Sequence, residues 1–119
     1  MKKILVIDDD PVSVKLMESG LAKAGYEVFL AGNGEKGLMC AQEKRPDLII
    51  TDVEMPEMNG YTFVLEAKKI DAIKDTPVIV LTAHEENKPI FLRKGIQHYM
   101  VKPVDFAALL EKLKELVGA

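Results

Sequence analysis

Five short runs, Lys3–Asp8, Glu27–Ala31, Asp47–Asp52, Pro77–Thr82 and His98–Lys102, constrain the fold most, because several of them are apolar at consecutive positions. A strand with one wet face alternates apolar and polar residues. A strand apolar on both faces must be covered on both, which is the condition of a parallel sheet flanked by helices. The stretches between the runs supply those helices. Pro11–Ala24 follows Asp10 as N-cap, with proline in the first turn and Gly25 as the stop; a second, about Gly34–Lys44, follows Asn33; a third, Gly60–Ile70, follows Asn59. In Phe106–Val117, the residues Phe106, Leu109, Leu110, Leu113 and Val117 form one stripe opposite Glu111, Lys112 and Glu115, so the stripe is expected to face the sheet. Within His84–Gly95, Pro89 suits only a first turn, which predicts a short helix at about Pro89–Lys94. This alternation predicts an α/β fold: a doubly wound five-stranded parallel sheet with helices on both faces in three layers.

The chain has 119 residues, 48% hydrophobic and 29% charged, which suits one globular domain with a sizeable core and no output domain. Sixteen basic against nineteen acidic residues give a net charge of −3, and no basic footprint for nucleic acid or an anionic membrane surface is evident. The longest apolar runs, Ile4–Ile7 and Val78–Leu81, fall far short of the roughly 20 residues that span a bilayer. One cysteine, Cys40, excludes an internal disulfide and a cysteine-based zinc cluster and fits a reducing compartment, so a cytoplasmic location is expected. Within its helix, Cys40 reads as an inert packed thiol. Met17 and Met39 read as core fillers, and Lys68-Lys69 and Glu85-Glu86 as solvated faces.

In doubly wound sheets the chemistry gathers at the carboxyl ends of the strands. Here the first strand ends in Asp8-Asp9-Asp10, the third in Asp52, the fourth in Thr82 and the fifth in Lys102-Pro103. Asp10, standing before Pro11, reads as a helix cap. Two like charges about 5 Å apart repel by about 3 kcal/mol at an effective dielectric near 20, so Asp8, Asp9 and Asp52 need a cation to stay ionised together. Oxygen ligands without His or Cys favour Mg²⁺, which keeps several waters.

With Asp8-Asp9 after Ile4–Ile7, Asp52 followed by Met55-Pro56 and Asn59-Gly60, Leu81-Thr82-Ala83, and Tyr99 three residues before Lys102-Pro103, the chain resembles the receiver domains of two-component response regulators from Ile4 to about Leu116. The resemblance implies the flavodoxin-like strand order 2-1-3-4-5. It also implies a role for each matching residue. Asp52 would be the phosphoacceptor nucleophile, Lys102 and Thr82 would contact phosphoryl oxygens, and Mg²⁺ would be bound by Asp9, Asp52 and the Glu54 backbone carbonyl, with Asp8 acting through water. Thr82 and Tyr99 would form the conformational switch, changing the face made by strand five and its neighbouring helices. The phosphoryl group would come from a histidine kinase or histidine phosphotransfer protein, and a downstream protein would read the result. The resemblance implies a cis bond before Pro103, whereas the sequence alone makes trans the default. Glu54 and His84, two residues beyond Asp52 and Thr82, are expected to tune hydrolysis of the aspartyl phosphate. From Thr82 to Lys102 the chain runs about two residues shorter than the family pattern, so the intervening helix is expected to be shortened or displaced.

Three other functions compete. A Mg²⁺-dependent aspartyl phosphatase for small substrates normally needs a lid and pocket for which 119 residues leave no room. A flavin or nucleotide binder on this fold needs a Gly- or Ser/Thr-rich phosphate cradle after the first strand, where three aspartates stand. A receiver belonging to a longer hybrid kinase or regulator shares every motif above.

Overall fold

The computed structural model describes residues 1–54, 58–83, 93 and 98–118. Five parallel strands, β1 (Lys3–Ile7), β2 (Glu27–Ala31), β3 (Leu48–Asp52), β4 (Val78–Thr82) and β5 (His98–Val101), form one sheet in the order β2-β1-β3-β4-β5. Four helices, α1 (Pro11–Lys23), α2 (Gly34–Lys44), α3 (Gly60–Lys68) and α4 (Phe106–Val117), complete the described elements. The doubly wound arrangement expected from the consecutive apolar runs is present, and most element ends differ from expectation by only one or two residues. The expected helix at Pro89–Lys94, and with it the shortening around Pro89, lies outside the described residues apart from Arg93.

Period-two geometry sends successive side chains of each strand to opposite faces. Leu5, Ile7, Ile49 and Val80 pack on one face with Ala41 of α2 and Phe63, Val64 and Ala67 of α3. Ile4, Val6, Leu48, Ile50, Ile79 and Leu81 pack on the other with Leu21 of α1 and Leu109 and Leu113 of α4. Burying each large aliphatic side chain fully contributes about 1.5–3 kcal/mol, so these two layers hold the strand ends in a fixed relation. The α4 stripe faces the sheet as its periodicity predicts, with Phe106, Leu110 and Val117 partly buried beside Leu109 and Leu113.

Each helix starts on a side-chain cap. Asp10 accepts from the Val12 N–H and from the Ser13 hydroxyl, Asn33 from the Lys36 N–H, Asn59 from the Thr62 N–H, and Asp105 from the Ala107 and Ala108 N–H groups. Gly25, at φ +97°, supplies the left-handed residue beyond α1. Met39 departs from expectation: it is 66% exposed. The buried stripe of α2 runs through Gly34, Gly37 and Ala41, and residue 39 projects from the opposite side of the helix. Met17 does pack against the core, and Cys40 is half-buried, its thiol pKa raised by burial and then by the charge of Glu43.

His98 opens β5 with Nδ1 buried and without a hydrogen-bond partner among the described residues. Burial lowers its imidazole pKa, Lys112 lowers it further and Glu115 opposes them. The folded state therefore resists protonation. Stability attributable to His98 is fully present above the unfolded value near 6.5 and is lost as pH falls through the lower folded value. Urea unfolding between pH 7 and 5 is expected to show this decline in the wild-type protein and a weaker one in His98→Leu; parallel curves would exclude it.

Candidate functional site

Side chains gather at the carboxyl rim because each strand ends there in register with its neighbour. The ladder continues past β1 and β3, with the Asp8 N–H donating to the Ala31 carbonyl at 3.1 Å and the Val53 N–H to the Leu81 carbonyl at 3.0 Å. Asp8 and Asp52 are held on ordered backbone, 9% and 8% exposed, while Asp9 between strand and helix is open to solvent. One carboxylate oxygen from each of Asp8, Asp9 and Asp52 lies within 4.8 Å of the others. The Lys102 Nζ is 2.9 Å from Asp52 Oδ2. Three acids against one ammonium group leave negative charge in excess.

That excess is felt at Asp8. Burial raises its carboxyl pKa most, the charges of Asp52 and Asp9 add to the rise, and the Asp10 N–H and Lys102 oppose it. Asp10 behaves otherwise: the Ser13 hydroxyl and the Val12 N–H hold its carboxyl below the usual range, as befits a cap. The neighbouring aspartates thus divide into a cap and members of the cluster by their hydrogen bonds.

Thr82 is buried at the end of β4, and its carbonyl accepts from the Lys102 N–H at 2.7 Å, which ties the site lysine to the next strand. The Lys102–Pro103 peptide bond is cis. Tyr99 lies opposite Val80 in the β4–β5 ladder, half-buried against the core layer of α2 and α3. Glu54 is exposed just past the rim. His84, together with Met55 and Pro56, lies outside the described residues.

Two contributors have no role assigned by the motifs. Tyr61, in the first turn of α3, has its phenol pKa raised by burial and then by the charge of Glu54, so an aromatic ring stands beside the rim. Gly60 fits where a side chain would not: a Cβ there would lie 2.6 Å from the Asp52 carbonyl oxygen and 3.0 Å from Val53 Cα, while its N–H donates to the Val53 carbonyl at 2.9 Å. These neighbours are backbone and cannot swing aside. Gly60→Ala is expected to cost about 2–3 kcal/mol in urea unfolding, by forcing α3 away from the end of β3; a loss below about 0.5 kcal/mol would contradict the close approach.

Comparison with known proteins follows the same outline. The family model for the response regulator receiver domain matches residues 4–114. The chain is 32% identical to the protein PilH of Pseudomonas aeruginosa, over 99% of each. Among solved structures it is similar to the chemotaxis protein CheY4 of Vibrio cholerae, with 36% identity, 98% of both chains covered and a TM-score of 0.90. It is also similar to the receiver domain of the sensor histidine kinase PA1611 of Pseudomonas aeruginosa, with 29% identity, 99% and 98% coverage and a TM-score of 0.90; that structure holds a magnesium ion in its active-site cleft. The chain spans about half the length of several transcriptional regulators that it matches. The match of the family model over residues 4–114, with a relative 32% identical over 99% of each chain, shows that the chain belongs to the response regulator receiver domain family of two-component systems.

Proposed function

We propose that Asp52 accepts a phosphoryl group from a phosphohistidine and that residues 1–119 act as one receiver domain. The observation that carries this reading is the pairing of Lys102 Nζ with Asp52 Oδ2 at 2.9 Å beside a three-carboxylate cluster within 4.8 Å. A carboxylate oxygen of Asp52 forms the new P–O bond as the P–N bond of the donor breaks, and the departing imidazole nitrogen keeps the electron pair. The acceptor becomes an acyl phosphate. Lys102 neutralises phosphoryl oxygens, and the Thr82 hydroxyl donates to one of them.

The donor set fits Mg²⁺: it consists of oxygens alone, it faces solvent at Asp9, and its oxygens, within 4.8 Å of one another, are near enough to share one partly hydrated ion. Asp9, Asp52 and the Glu54 carbonyl would hold it directly, and Asp8 through water. When bound, Mg²⁺ supplies positive charge for the phosphoryl oxygens.

The product is read as a change of shape. An acyl phosphate adds acceptor oxygens where Thr82 is buried, and Tyr99 two residues into β5 is the aromatic that answers on the partner face. Glu54 and His84 tune how water reaches the phosphorus. The protein acts as a switch; a histidine kinase or phosphotransfer protein loads it and a downstream protein reads it. Direct binding to nucleic acid or membrane is not part of this role, and no described helix is long and apolar enough to cross a membrane. A cytoplasmic location suits it.

The test is incubation with Mg²⁺ and a small-molecule phosphodonor, followed by intact mass analysis. One base-labile phosphoryl adduct is expected, lost when EDTA replaces Mg²⁺. Absence of any adduct under saturating donor would overturn the reading.

A further inference from the structure

Phe106 opens α4 four residues after Lys102, and its ring tip points at Gly20 in α1. A Cβ on Gly20 would lie 2.5 Å from Phe106 Cζ and 2.9 Å from Cε1 and Cε2. The ring thus occupies the volume of a side chain that α1 lacks. Beside this contact lies a cavity of about 340 Å³, lined by Leu16, Met17, Val104 and Phe106 and reaching Asp8 and Lys102. The turn from β5 to α4 therefore runs along open space on its α1 side. It is anchored at one end by the Lys102 N–H on the Thr82 carbonyl. At the other end it is propped by the Phe106 ring in the Gly20 notch.

We infer that Gly20 and Phe106 are positioning residues for Lys102, a knob and notch that set how far the β5–α4 turn stands from α1 and so where the Lys102 ammonium meets Asp52. The consequence for phosphoryl transfer rests on the function proposed above; the placement of Lys102 does not. At the ring–notch contact the atoms have little room, so a displacement there passes to the turn, which has open space on its α1 side. The adjoining cavity gives the ring somewhere to go if the notch is filled.

Gly20→Ala fills it. Alanine is the better helix former, so α1 itself is not weakened by the change. The added methyl is expected to drive the ring into the cavity and carry the turn with it. Two readouts follow in the 119-residue chain. The Lys102 Nζ resonance, correlated through its own Cε and Hε, is expected to broaden and shift as the 2.9 Å contact with Asp52 Oδ2 is altered. Phosphorylation by a small phosphodonor is expected to slow about tenfold, as small misplacements of a reacting group do. Gly20→Ala/Phe106→Leu, which shrinks the knob to suit the filled notch, is expected to recover both. Phe106→Leu alone should also broaden the Lys102 signal, and it serves if Gly20→Ala does not fold.

An unchanged Lys102 signal and rate in folded Gly20→Ala, or in folded Phe106→Leu where that variant substitutes for it, would overturn the inference. So would a folded double variant no closer to wild type than Gly20→Ala. The ammonium comparison needs no phosphodonor. Failure of the wild-type chain to accept phosphate would therefore remove the phosphoacceptor reading and leave the knob-and-notch test standing.

Discussion

Asp52→Asn is expected to lose the phosphoryl adduct altogether, with any residual labelling down on the order of 10³-fold or more, because the amide has no anionic oxygen to form the P–O bond. Mg²⁺ affinity should fall with it, by about ten- to a hundredfold, since one of the carboxylates proposed as a direct ligand becomes a neutral oxygen. The fold should tolerate the change. Lys102 loses its 2.9 Å partner, but its side chain is about one-third exposed and water can take the partner's place. At the same time Asp8 and Asp9 lose a like-charged neighbour within 4.8 Å. The two effects oppose each other, so unfolding free energy should move by less than about 1 kcal/mol. Intact mass analysis, a magnesium titration followed by NMR shifts and a urea melt on the same preparation separate these outcomes. Adduct formation at the wild-type rate would show that another nucleophile accepts the phosphate, and the proposed role of Asp52 would fall.

How much of this was legible beforehand depends on the range of the interaction involved. The consecutive apolar runs were legible because coverage on both faces leaves a mark at every position of a strand, and the caps Asp10, Asn33 and Asn59 because their partners lie two or three residues away. Asp8, Asp52 and Lys102 could be placed on one rim once parallel strands were assumed. The strand order and the cis bond before Pro103 followed only from the family resemblance. Gly60 belongs to a recognisable motif, yet its reason is the Asp52 carbonyl lying against it, a contact set by how α3 leaves the sheet. Gly20 and Phe106 are 86 positions apart, and nothing local joins a helical glycine to a ring at the start of another helix. Met39 is apolar within an amphipathic helix yet stands away from the core, because Gly34, Gly37 and Ala41 occupy the buried side.

Asp8→Asn should make the metal-free protein more stable. Each pair of carboxylates 4.8 Å apart repels by about 3 kcal/mol at an effective dielectric near 20 and about 1 kcal/mol in bulk water. Asp8 faces two such neighbours from a buried position, with Lys102 and the Asp10 N–H in partial compensation. Asparagine keeps an acceptor for the Asp10 N–H and removes the charge, so a gain of about 1–2 kcal/mol is expected, or roughly 4–8 °C in Tm. The pH dependence carries the same sign. The folded carboxyl of Asp8 titrates above its ordinary value of 3.8, so between 3.8 and the folded value the native state holds more protons than the unfolded one. Stability attributable to Asp8 is therefore greatest below 3.8 and is lost as pH rises through the folded value. The advantage of Asp8→Asn should grow over that window and level off above it. Mg²⁺ should then cancel or reverse that advantage. At a concentration one hundred times its dissociation constant, the ion stabilises wild type by about 2.7 kcal/mol, whereas a site weakened thirtyfold gains less than about 1 kcal/mol. Melting curves of both proteins with and without Mg²⁺ decide the matter. If the ion raises both Tm values equally, Asp8 has no part in holding it, and if metal-free Asp8→Asn melts below wild type, the charge on Asp8 is not a load that the fold carries for the sake of the cation.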